Sequence, residues 1–260
     1  MGRFSKLELS GGAEPEETGG GDRDWLLLAE RCLKEGAHEA ALRYYSRALS
    51  QDSKLEQAWL GQLFCLVDLG ENDEAVAWAD RALAIHPGSG DLAAMKAVAV
   101  GRTGENDRAL ALSDSALKSD GAGALAWWAR GDILLAEGGR TAEYCFRKAL
   151  ETGAKSWLVL FWIGKSWLSI GRPFEARTLL LRAREVDPDA PIVDCYLGLA
   201  CQALGATDEA VASFRRALER NPALAEAREG LETLEKEGPF VRGWRRLSLW
   251  LSGRGQRKTR

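Results

Sequence analysis

Histidine is scarce in this 260-residue chain: His38 and His86 are the only two, and they stand 48 positions apart. No HExxH string, Walker loop, GxSxG elbow or zinc-spaced cluster accompanies them, so the sequence offers no catalytic residue, metal site or cofactor. The stretch "GGAEPEETGGG" is glycine-rich, but it carries acids and no lysine and would repel phosphate. Cysteine is sparse too. The five residues at 32, 65, 145, 195 and 201 make an odd count without a CxxC pair, which suits apolar filler in a reducing compartment. No run of about eighteen apolar residues is present, so a membrane-spanning helix is not expected. The opening "MGRFSKLELS" has no apolar signal core, and Lys6 stands where a myristoylation signal needs a hydroxyl; a cytoplasmic location is expected. Acid is missing from one place only. Seven cations and no carboxylate follow Gly238, and removing them from the 35 basic residues leaves 28 against 38 acids in residues 1–238. A body with that acidic excess disfavours nucleic acid as a partner.

What is present is a period. Ala41, Ala75, Ala109, Ala142, Ala176 and Ala210 are spaced by 34, 34, 33, 34 and 34 residues. Ala48, Ala82, Ala116, Ala149, Ala183 and Ala217 repeat that series seven places later, and Gly36, Gly70, Gly104, Gly138, Gly171 and Gly205 mark a turn in every period. Each period reads as two helices. The glycine ends the first by a left-handed cap, and the alanines lie where helix backbones approach closely. A bulky residue usually stands between the alanines (Tyr45, Phe146, Leu180, Phe214), and Pro87, Pro188 and Pro222 close their repeats. The second repeat departs by placing Ala79 at the bulky position beside Trp78. The third departs with Ser113 there and Gly121 at the closing proline, which predicts the loosest joint. The fourth is one residue short between Gly138 and Ala142.

These residues make the chain resemble the tetratricopeptide repeat family. So do the helix-one aromatics Trp25, Trp59 and Trp127, the Leu197–Gly198 and Ile163–Gly164 pairs, and the Ala-x3-aromatic-x2-Ala string. The resemblance implies an all-α solenoid over 22–237. Six helix-turn-helix repeats fall near 22–55, 56–89, 90–123, 124–156, 157–190 and 191–224, followed by a glutamate-rich capping helix at 225–237. Residues 1–21 are expected to be a disordered Gly/Glu-rich segment, in which Phe4, Leu7 and Leu9 form a candidate short docking motif; 238–260 read as a basic amphipathic tail.

The resemblance also implies a concave face read at five places of each first helix, the fifth, ninth and twelfth among them. The expected groove residues are Leu26, Leu60, Phe64, Val98 and Arg102 in the first three repeats. Trp128, Leu135, Phe161, Lys165, Leu168 and Leu199 follow in the last three, with Trp128 and Phe161 central. The partner implied is another protein, offering an apolar helix or extended peptide, with Arg102 and Lys165 meeting its acids. The Lys-x-x-Gly-Asn clamp with which some family members grip a C-terminal carboxylate is absent: Asp132, Lys165 and Leu199 follow the helix-one glycines. The asparagine ladder of backbone-gripping members is absent as well, since the sixth places read Leu27, Gly61, Met95, Ala129, Trp162 and Tyr196.

In the tail, Phe240, Val241, Trp244, Leu247 and Leu251 share one face of a helical wheel, with Arg242, Arg245 and Arg246 opposite. Three uses compete. The face covers the last repeat; or Trp244, Arg245, Arg246 and Trp250 bind an anionic membrane or acidic partner; or the arm binds nucleic acid, which the acidic body disfavours by repulsion. Function therefore reads as a non-catalytic interaction scaffold. The alternatives are a peripheral membrane adaptor anchored by the tail and a self-assembling structural protein.

Overall fold

The computed structural model describes residues 24–236 apart from 120, 121, 137, 139 and 140; the expectations for 1–21 and 238–260, and most of the shortened fourth turn, lie outside these residues. The described residues hold thirteen α-helices and no strand. They fall into two compact parts, one comprising 37–154 with the chain up to Leu33, the other 155 onward with Lys34–Gly36.

The first part stacks four helix pairs: α1 (Trp25–Lys34) and α2 (His38–Gln51), α3 (Glu56–Asp68) and α4 (Asn72–Ile85), α5 (Gly90–Arg102) and α6 (Asn106–Leu117), α7 (Ala124–Ala136) and α8 (Ala142–Gly153). The second holds α9 (Trp157–Ser169) with α10 (Pro173–Val186), α11 (Pro191–Ala203) with α12 (Thr207–Arg220), and the single helix α13 (Ala225–Lys236). The six turn glycines are the only residues of positive φ among those described, at 70–94°. At five of them the next amide reaches back into the helix: Ala37 to the Cys32 carbonyl, Glu71 to Leu66, Arg172 to Trp167 and Ala206 to Cys201 at 2.9–3.0 Å, and Glu105 to Val100 at 3.4 Å. This bond satisfies a carbonyl that the helix end leaves open, and a side chain at the left-handed residue would be strained.

Small residues let the helices close on one another. Both alanine series are buried throughout, none more than 2% exposed. The bulky residue between them lies on a helix-one glycine. A Cβ added at Gly131 would come within 2.5 Å of Phe146, and one at Gly164 within 3.0 Å of Leu180. Phe214 is held on two sides: a Cβ at Gly198 of its own repeat, or at Gly230 of α13, would come within 2.5 Å of its ring. In the second repeat Trp78 keeps the aromatic bulk that Ala79 lacks, packing 5.8 Å from Trp59.

The third repeat replaces the aromatic contact by a polar one. Ser113, with no exposed surface, donates to the Leu110 carbonyl at 2.8 Å and accepts from Arg130 of α7 at 3.0 Å. Arg130 also bonds the Leu110 carbonyl at 3.3 Å and pairs with Asp114 at 3.0 Å. Beside this joint, Ala97, Val100, Ala109 and Ile133 form an apolar cluster.

Repeats are joined by caps as well. Asp91 at the start of α5 accepts from the Gly123 and Ala126 amides, both at 3.1 Å and both on Oδ1, and so caps the next first helix, α7. Ser89 caps α5 through the Leu92 amide and donates to Glu56 of α3 at 2.5 Å. Burial raises the Asp91 carboxyl above its ordinary 3.8, outweighing the two amide bonds that lower it. The folded chain thus binds that proton more tightly than the unfolded chain, and stability falls as the pH rises through this range.

Phe214→Ala is expected to cost about 3–5 kcal/mol in denaturant unfolding, the magnitude for emptying a buried aromatic site. Asp91→Asn keeps both bonds through its carbonyl oxygen and should remove the pH dependence at no loss of stability at pH 7. Asp91→Ala orphans the two amides and should cost about 1–3 kcal/mol in the same measurement.

Candidate functional site

The first helices α1, α3, α5 and α7 carry the expected face in the first compact part. Leu26 and Leu60, at the fifth place of α1 and α3, are partly exposed. Further along, the same face closes. Phe64 and Val98 are each 1% exposed, and Leu135 is buried. Trp128, expected as the central contact, has no exposed surface; it is the largest fully buried side chain among the described residues, its ring 6.2 Å from Phe64. Its position makes it packing between repeats. Only a large aromatic fills the space there, and the apolar surface it contributes is already withdrawn from water. Arg102, expected to meet ligand acids, is engaged by a buried partner: its guanidinium donates to Asp132 of α7 at 2.7 Å. Half of the arginine side chain remains exposed, while the Asp132 carboxylate is covered.

In the second part the face is formed by α9 and α11. Phe161 is buried at the centre of an aromatic group, 5.1 Å from Tyr196 edge-on, 5.7 Å from Trp162 and 6.1 Å from Trp157. Lys165, one turn after Phe161, places its ammonium 4.8 Å from the Trp162 ring and 5.2 Å from Tyr196. The ring faces attract the cation, and the two contacts fix a side chain that would otherwise be mobile. Leu168 on α9 and Leu199 on α11 are partly exposed. Tyr196, at the sixth place of its repeat and outside the expected groove set, is partly exposed beside them. Its signal was present, since Trp162 precedes it by one period of 34.

Other polar groups are occupied within the fold. Asp194, 3% exposed, lies 3.3 Å from Arg216 and 3.6 Å from Arg184. Cys65, Cys145, Cys195 and Cys201 are buried thiols; burial raises all four, Cys195 to about 12. Among the described residues no group of three His, Cys, Asp or Glu side chains is placed to hold a metal ion, and no helix is long and apolar enough to cross a membrane. Trp244, Arg245, Arg246 and Trp250 lie outside the described residues.

Two family models, both described as tetratricopeptide repeat, match residues 13–155 and 163–225. The chain belongs to the tetratricopeptide repeat family. The sequence matches no curated protein. Among solved structures this tetratricopeptide repeat array is similar to a chain of the APC/C hetero-tetramer Cut9–Hcn1, at 18% identity and a TM-score of 0.51 over 81% of this chain. It is similar to the type IV pilus biogenesis factor PilW at 19% identity and a TM-score of 0.50, covering 82% of this chain and 97% of PilW. A monomeric IFIT1 mutant with m7Gppp-AAAA matches at 15% identity and a TM-score of 0.55, over 75% of this chain. The chain spans 42% of the Cut9–Hcn1 chain and 48% of the IFIT1 chain. At such identities the likeness is one of fold.

Trp128→Ala is expected to lower stability by about 3–5 kcal/mol, whereas Leu199→Ala should cost far less, in paired urea titrations.

Proposed function

We propose that the chain is a non-catalytic scaffold that captures an apolar helical or extended segment of another protein along its first helices. Membership of a repeat family whose stacked units present extended binding surfaces supports this class of function. The observation that carries it is the α9–α11 face. There Leu168, Leu199 and Tyr196 leave apolar surface partly open around a lysine ammonium held over two rings. Apolar side chains of a ligand would cover the leucines, and an acid on the ligand would reach Lys165 in a charge-assisted bond. Leu26 and Leu60 offer a second apolar strip on α1 and α3. Trp128, Phe161, Phe64, Val98 and Leu135 are buried within the fold and add no open surface to the capture.

Peptides selected by phage display on the full chain test the assignment. Leu168→Glu combined with Leu199→Glu should weaken the selected peptides by more than about tenfold, or 1.4 kcal/mol, with helicity unchanged. Lys165→Gln should weaken only those that carry an acid. Undiminished binding to the double variant would place the capture site elsewhere.

A further inference from the structure

An ion pair links successive second helices of the second part: Arg177 of α10 binds Glu209 of α12 at 2.6 Å. One period after Arg177 the matching place is Val211, on the outward side of α12, and no later second helix stands among the described residues to meet it. Val211 is half-buried and Ala212 exposed. With Thr207, Asp208, Arg215 and Glu235 they line a cavity of about 380 Å³ between α12 and α13. Arg215 and Glu235 approach to 3.6 Å across it, both largely exposed.

We propose that this face is the seat of the chain's own basic segment, residues 239–252. Continuity favours it, since Glu235 lines the cavity and the segment begins four positions later, so that little loop-closure entropy opposes the contact. Charge favours it: seven cations and no acid follow Gly238, while Asp208, Glu232 and Glu235 are exposed beside the cavity. The period favours it too. Gly238 follows Gly205 by 33 residues, the spacing of Gly138 and Gly171, and Leu247 follows Phe214 by the same 33. The turn glycine and the bulky place of a second helix thus recur in the segment. Trp244 and Leu247 supply apolar surface for Val211 and Ala212, and Arg242, Arg245 and Arg246 supply the counter-charge. Two differences set the strength of the contact, the first being Trp250, which stands 33 places after Ala217 where each repeat has a buried alanine. Glu232 stands 34 places after Gly198, where a glycine admits the bulky residue of its own repeat's second helix. The segment is therefore held off α13, and its contact depends on charge and weakens in salt.

The test uses the full chain with Cys32→Ser, carrying Ala212→Cys and Leu247→Cys, oxidised by glutathione disulfide; a chain with Thr178→Cys and Leu247→Cys serves as control. The 212–247 disulfide, read by peptide mass mapping, should form at least about tenfold faster than the control, as a raised effective concentration requires. It should slow in ~1 M salt. Equal rates for the two pairs overturn the proposal. With vesicles of phosphatidylserine and phosphatidylcholine present, persistence of the crosslink supports it. Loss of the crosslink together with flotation of the chain overturns it and assigns the segment to a lipid surface.

Discussion

The contact on which the array depends sets one large side chain against a neighbouring helix that has none. Phe214 lies between Gly198 and Gly230, and at either glycine a single added carbon would collide with its ring. Because the two glycines belong to helices of successive repeats, one aromatic fixes the spacing on both sides of its own helix. Tyr45 against Gly61 and Phe146 against Gly131 make the same kind of contact in the first part. Repeat proteins are held by such nearest-neighbour interfaces and have no central core.

Features with few physical solutions were legible in the sequence. A left-handed turn after a helix accepts little but glycine, and all six glycines that mark the period have the positive φ expected of them. A close backbone crossing accepts little but a small residue, and both alanine series are buried. The binding face was less legible because apolar side chains serve covering and capture equally well. Leu26 and Trp128 occupy the same place in their repeats, yet the leucine is partly exposed and the tryptophan fully buried. Neighbours decide the difference: the Trp128 ring packs on Phe64, and the smaller Ala94 and Cys195 at the same place are buried as well. Nor could spacing reveal Asp91 as a helix cap, since the amides it accepts from lie 32 and 35 residues away.

Charged residues that look available in the sequence are largely engaged inside the repeats. Arg102 is paired with Asp132, Asp194 with Arg184 and Arg216, and Asp91 with backbone amides. A covered carboxylate needs such partners, since burial without them would cost more than the pair returns. The Lys165 ammonium lies over aromatic rings as well, 4.8 Å from Trp162 and 5.2 Å from Tyr196.

The joint at Ser113 has a mechanical consequence. Elsewhere apolar interlocks that strengthen with warming over the cold range hold neighbouring helices, with ion pairs such as Arg102–Asp132 between α5 and α7 beside them. Here one arginine spans α6 and α7 through Ser113, the Leu110 carbonyl and Asp114. The partly exposed ion pair is screened by salt, and the buried hydroxyl must keep its partners whenever the helices move. In a linear array a load or a fluctuation is relieved at the bond whose strength the solvent can alter. The α6–α7 boundary is therefore a place where ionic strength reaches into the body of the stack and alters its compliance.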